Sequence, residues 1–228
     1  MHLILFDIDG TLIDTGGAGS RSLNLALKEL LYIEDAFRGI SMAGKTDTEI
    51  IKEGLIKHGF SMDGNINAVV KAYLKHLQKE ILNDRKHVKP GVYELLKKLR
   101  ILKDVALGLL TGNLEEGARI KLDPFGLNEY FSTGAFGSDD EDRNRLLPIA
   151  VKRFEGLYLK KIRLKECIVI GDTPRDVECA KIYGAKCLSV ATGPYSFEDL
   201  AMAGADFVVK DLSNHGKLFQ LLDLNEPH

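Results

Sequence analysis

Short, largely apolar runs that do not alternate with polar residues constrain this 228-residue chain more than any other feature. They fall at 3–6, 106–110, 168–170, 187–191 and 207–209. A strand covered on one face alternates, whereas a strand of a parallel sheet covered on both faces reads as a continuous apolar run. The runs therefore predict a parallel sheet between helical layers. Segments with helical spacing of apolar residues lie between most of them. At 90–102, Val92, Leu95, Leu96 and Leu99 share a face; 145–154 keeps an apolar stripe around Pro148; 176–183 stops at Gly184, a natural helix end. Strand and helix in repetition predict a doubly wound α/β core, whose ligands bind outside the carboxyl ends of the strands.

The stretch 16–85 breaks this rhythm. It holds no convincing strand, and 22–31, 46–58 and 67–82 each show helical spacing, interrupted at 39–41 and 59–64. The expected organisation is a core of 1–15 and 86–228 with a helical insert at 16–85. Gly16, Gly17 and Gly19 stand at the first joint, where they suit a hinge without requiring one.

Charge and chemistry narrow the function. The 31 basic and 33 acidic residues leave a formal net charge of −2, so nothing points to nucleic acid or an anionic membrane. No apolar stretch reaches the ~20 residues of a spanning helix, and Met1-His2-Leu3 lacks the basic flank of a secretory signal. The six histidines do not cluster, and Cys167, Cys179 and Cys187 lack metal-ligand spacing. Three buried thiols in a reducing cytoplasm are the expectation. Two acidic residues follow the first strand directly. Asp7 and Asp9 close it, with Gly10 permitting the turn. Charge placed there needs compensation, which a hard cation such as magnesium supplies. The acidic run 139–142 reads instead as a solvated loop.

These residues carry a resemblance. Asp7-Ile8-Asp9-Gly10-Thr11-Leu12, an apolar strand ending in Thr111-Gly112-Asn113, and Gly171-Asp172-Thr173-Pro174-Arg175-Asp176 resemble, in order, three of the four signatures of the haloacid dehalogenase superfamily. The helical insert after the first strand resembles the cap of its phosphoglycolate phosphatase-like members. The family's remaining signature is a lysine before a proline-led helix. Here Arg145-Leu146-Leu147-Pro148 stands at that place, which points to Arg145 for the cation, with Arg143 and Lys152 as rivals. The resemblance implies a Rossmann-like core and a magnesium-dependent phosphatase acting on a small phosphorylated metabolite. It implies Asp7 as nucleophile forming an aspartyl phosphate and Asp9 as acid and base. Asp7, the Asp9 carbonyl and Asp172 are the implied metal ligands, and Asp176 stands behind them. Thr111, Gly112 and Asn113 are the implied phosphoryl donors. Lys45, in the loop Gly44-Lys45-Thr46-Asp47, is expected to select the substrate, although Thr46 or Asp47 can equally cap the next helix. A sugar-phosphate mutase of the β-phosphoglucomutase type, or a magnesium-binding regulatory module without turnover, are the alternatives. The metabolite and the oligomeric state are not legible.

Overall fold

The computed structural model describes residues 1–61 and 65–225. In chain order its strands are β1 (His2–Phe6), β2 (Ile13–Asp14), β3 (His87–Val88), β4 (Val105–Thr111), β5 (Gly134–Phe136), β6 (Cys167–Gly171), β7 (Lys186–Val190) and β8 (Phe207–Val209). Six of them form one sheet in the order β5-β4-β1-β6-β7-β8, with every neighbouring pair parallel. The chain builds outward from β1 to one side, then returns and builds to the other. The order reverses between β1 and β6, the crevice where doubly wound sheets bind their ligands.

The helices are α1 (Ala18–Leu31), α2 (Asp47–Lys57), α3 (Asn65–Glu80), α4 (Val92–Arg100), α5 (Glu115–Leu122), α6 (Leu146–Tyr158), α7 (Pro174–Lys181), α8 (Phe197–Met202) and α9 (His215–Leu221). Successive residues of a strand point to opposite faces, and here both faces are covered. Ile4 and Phe6 of β1 pack with Leu95 and Leu99 of α4, Leu122 of α5 and Phe219 of α9. Leu3 and Leu5 pack the other way, with Leu147 and Phe154 of α6 and Val177 of α7. That double burial is why the strands carry no alternation. The contact on the second face is close enough that a Cβ at Gly108 would overlap the Phe154 ring.

The helices α1, α2 and α3 form a third apolar cluster through Leu23, Leu27, Ile51, Leu55, Tyr73 and Leu77, joined by Leu114 from the edge of the sheet. The two chain crossings between this unit and the sheet pair as a short antiparallel ribbon, Ile13 opposite Val88 and Asp14 opposite His87. Beyond it Gly16 and Gly17 take φ of +61° and +80°, left-handed values open to glycine at little cost. The joint is braced rather than loose. Arg21 bonds the Gly16 carbonyl at 2.6 Å and the Glu80 carboxylate at 2.6 Å, and Asn83 Nδ2 bonds the Thr15 carbonyl at 3.0 Å.

The expected helix at 145–154 begins one residue later, at Leu146, and runs on to Tyr158. A 3₁₀ turn at Arg143–Arg145 precedes it. The pattern-based reading lacked β5, the β2–β3 ribbon, and the helices α5, α8 and α9. Residues 62–64 of the expected interruption at 59–64, and residues 226–228 of the expected core, lie outside the described residues. Among the described residues no helix is long and apolar enough to cross a membrane.

Candidate active site

Asp7 is the first residue past β1 and continues its ladder, its amide donating to the Ile170 carbonyl of β6 at 2.9 Å. The chain then turns sharply at Gly10, φ +85°. Thr11 Oγ1 donates to Asp172 Oδ1 at 2.9 Å, which ties the turn after β1 to the end of β6. Asp7, Asp172 and Asp176 are all buried, and each offers a carboxylate oxygen within 4.8 Å of the others. Glycines make room for Asp172: a Cβ at Gly10 or at Gly193 would overlap its carboxylate.

Charge this dense is costly in a dry site. Burial, only partly offset by Arg143 and reinforced by the charges of Asp176 and Asp9, pushes the Asp7 carboxyl up to about 6. Burial, with Asp7 and Asp176 beside it, raises Asp172 well above the ordinary carboxylate range. Asp176 also closes a capping box with Thr173 at the start of α7. These oxygens form a hard-donor set with an excess of negative charge, and they fit magnesium. The Asp9 side chain stands apart from the trio.

The cation facing the trio is Arg143. Its Nη2 donates to Asp7 Oδ1 at 3.0 Å and to Asp176 Oδ1, and its Nη1 reaches the Gly44 carbonyl at 3.4 Å. Burial opposes its charge, and the two carboxylates more than offset that, raising its pKa. Arg145, expected in this place, is not there. Its side chain is 69% exposed and pairs loosely with Asp140 and Asp142 at 3.6 and 3.8 Å. The reason is the 3₁₀ turn: at three residues per turn, positions two apart point some 240° apart. Asp142 caps that turn by accepting from the Asn144 amide. The neighbouring Asp139 is held by Arg153 and the Phe136 amide, and Glu141 reaches the helical unit, its carboxylate pairing with Lys52 and its carbonyl accepting from Thr46 Oγ1 at 2.9 Å.

Above the trio lies a cavity of about 410 Å³, lined by Asp7, Asp9, Lys45, Thr111, Gly112, Asn113 and Asp172 among others. Its size suits a small ligand. Thr111 is buried at the end of β4, and its Oγ1 accepts from Asn113 Nδ2 at 2.8 Å. Asn113 Nδ2 also donates to Asp9 Oδ2 at 2.9 Å. Lys45 reaches the cavity from the loop before α2 and pairs with Glu53 on that helix. The loop is tight against the sheet edge, since a Cβ at Gly112 would overlap the Lys45 carbonyl. Thr46 caps α2, its Oγ1 accepting from the Glu49 amide at 3.1 Å. Asp47 instead reaches across, its amide donating to the Gly112 carbonyl at 2.7 Å and its carboxylate accepting from the Leu114 amide at 3.0 Å.

A residue absent from the sequence-based expectations completes the wall. Lys121 of α5 is buried and donates to Asp9 Oδ2 at 2.7 Å and to Asn113 Oδ1 at 2.5 Å. A signal existed: Gly117, Ala118, Lys121 and Leu122 share the buried face of α5, and a lysine on such a face needs a partner.

A sheet with this switch point, carrying buried carboxylates and a paired arginine under a covered cavity, defines an α/β enzyme with a carboxylate centre. The family model for haloacid dehalogenase-like hydrolases matches residues 4–190, and the chain belongs to that family. It is 26% identical to the phosphoglycolate phosphatase of Vibrio vulnificus (strain CMCP6), over 98% of this chain and 96% of that protein. It is likewise 26% identical to the PpaX protein of Caldanaerobacter subterraneus subsp. tengcongensis, a candidate pyrophosphatase by its name, over 98% and 96%. The crystal structure of CbbY from Rhodobacter sphaeroides in complex with phosphate superposes with a TM-score of 0.74 at 19% identity, covering 98% of this chain and all of that one.

Proposed function

We propose that this chain is a magnesium-dependent phosphatase that hydrolyses a small phosphorylated metabolite through an aspartyl phosphate on Asp7. The observation that carries this reading is the pairing of Asp7 with Arg143 at the floor of the cavity, with Asp9 held apart from the carboxylate trio. A carboxylate that attacks phosphorus divides one difficult displacement into two easier ones. Arg143 meets the charge on the equatorial oxygens, and Thr111 with the amides of Gly112 and Asn113 donates to them. Asp9 protonates the leaving alcohol, then takes a proton from the attacking water, a role worth about 10²–10⁴-fold. Asp7, Asp172 and the Asp9 carbonyl would hold magnesium, backed by Asp176, and the bound metal would supply positive charge against the phosphoryl group.

Residues 16–85 act as a cap whose closure excludes water, and Lys45 favours an anionic leaving group. Phosphoglycolate heads the substrates to test, since relatives across the full length carry that name; pyrophosphate follows from the PpaX relatives. The test is phosphate release from both, and from 4-nitrophenyl phosphate, with and without magnesium. Wild-type protein should release phosphate only with the metal, and Asp7→Asn should release none. Near-normal release by Asp7→Asn sinks the reading. Magnesium should also raise the melting temperature of the wild type and not of Asp172→Asn, by the linkage of binding to stability.

A further inference from the structure

We propose that Lys121 is a positioning residue: with Asn113 it pins one oxygen of the Asp9 carboxylate and leaves the other to exchange a proton with the leaving oxygen of the substrate. The inference rests on the phosphatase reading and on the role of Asp9 within it. Both anchoring bonds converge on one atom. Lys121 Nζ reaches Asp9 Oδ2 at 2.7 Å and Asn113 Nδ2 reaches the same oxygen at 2.9 Å. A third bond, from Lys121 Nζ to Asn113 Oδ1, closes the ring, and Asn113 is itself held to Thr111 Oγ1. Among the described residues no hydrogen bond engages Asp9 Oδ1.

The anchor is built rather than incidental. The Lys121 side chain is 5% exposed, against 41% for Asp9. Burying so long a side chain costs rotamer entropy and hydration, which a surface ion pair does not repay. The ammonium faces the Asp9 carboxylate directly, and that carboxylate compensates its charge. The wall opposite is shaped to fit, since a Cβ at Gly19 would come within 3.3 Å of Nζ. A charged ammonium has donors and no acceptor, so Lys121 cannot take the proton itself. What it can do, with Asn113, is fix a half-exposed carboxylate that the turn alone leaves free to rotate. Orientation of that kind is where misplacement by an ångström is felt in the rate.

A double-mutant cycle of Lys121→Met with Asp9→Asn tests the proposal, because two residues acting as one device lose their effects non-additively. The substrates are phenyl phosphate, whose leaving group needs protonation, and 4-nitrophenyl phosphate, whose leaving group needs it much less. Lys121→Met should lower kcat on phenyl phosphate about tenfold or more, and on 4-nitrophenyl phosphate clearly less. In the Asp9→Asn background the same substitution should cost less than about threefold on either ester. Lys121→Gln, which can still donate to Asp9, should recover part of the loss; it also carries the cycle if Lys121→Met does not fold. Equal fold-losses in both backgrounds, or on both esters, would mean that Lys121 serves the fold or the phosphoryl group directly, and would overturn the proposal. If Asp9→Asn turns over both esters at wild-type rates, Asp9 is not the acid and base, and the proposal is overturned with that role; wild-type protein that releases phosphate from neither ester would instead fail the phosphatase reading, which is a different result.

Discussion

Arg143 and Arg145 are the same residue type two positions apart, and their environments could hardly differ more. Arg143 is buried between Asp7 and Asp176, where removing one member of an ion pair strands the others at a cost of about 3–5 kcal/mol. Arg145 is mostly exposed, and its pairs with Asp140 and Asp142 belong to the class worth about 0–1 kcal/mol. Arg143→Ala should therefore lose about 10²-fold or more in kcat on 4-nitrophenyl phosphate, in the range found for a lost transition-state donor, and should unfold at lower denaturant. Arg145→Ala should stay within about twofold of wild type in kcat and keep its stability. Steady-state kinetics and urea titration of the two variants decide it. A severe loss in Arg145→Ala with a mild one in Arg143→Ala would return the role to the residue that the sequence favoured.

At the scale of elements, the contact that matters is between helix starts. α2 begins where Asp47 accepts from the Leu114 amide, and that amide opens α5. This buried carboxylate is one of several bonds between the helical unit and the core, beside Thr48 Oγ1 on the Gly137 carbonyl at 2.9 Å and Arg175 on Glu49 at 3.1 Å. Burial raises the Asp47 pKa, with the Asp9 charge adding to it, while Lys121 and the Leu114 amide pull it back; Tyr73 lies alongside. A folded-state value above the unfolded one means that the native protein holds this proton more tightly. The resulting penalty is absent below the ordinary carboxylate value of 3.8 and develops as the pH rises from there through the raised value. Asp47→Asn keeps a carbonyl acceptor for Leu114 and removes the charge. It should therefore melt higher than wild type at about pH 8, with the gap closing toward about pH 4. A variant that melts lower throughout would show that the carboxylate charge itself holds the joint.

For the whole molecule, two covered sheet faces leave the thiols no route to solvent. Cys167 and Cys187 lie in strands and Cys179 in α7, all three within the cluster on the α6–α7 side. Burial pushes the thiols of Cys167 and Cys187 up to about 12 and that of Cys179 up to about 11. Thiolate is the reactive species, so a disulfide reagent at about pH 8 should label none of them in the native protein and all of them in denaturant. The rate of native-state labelling should follow global opening, since these residues sit in the most protected part of the fold. Fast labelling of one thiol in folded protein would contradict this picture of the second face.

Much of this was legible in the chain because it is local. Continuous apolar runs declare strands buried on both faces, and a carboxylate directly after such a run is delivered to the sheet edge by register alone, as Asp7 and Asp172 are. Helices α1, α2 and α3 were equally plain, since Leu23 with Leu27, Ile51 with Leu55 and Tyr73 with Leu77 repeat at helical spacing. The short pieces were not. β5 has three residues and β2 and β3 two each, too few to show a period; α5 passed unread, and Lys121 with it. What only the tertiary structure decided was convergence. Whether residue 143 or 145 faces Asp7 depends on the phase of one 3₁₀ turn, and the meeting of Lys121 with Asp9 spans 112 positions. No local propensity encodes such contacts, because a side chain's charge finds its partner through packing rather than through its neighbours in sequence.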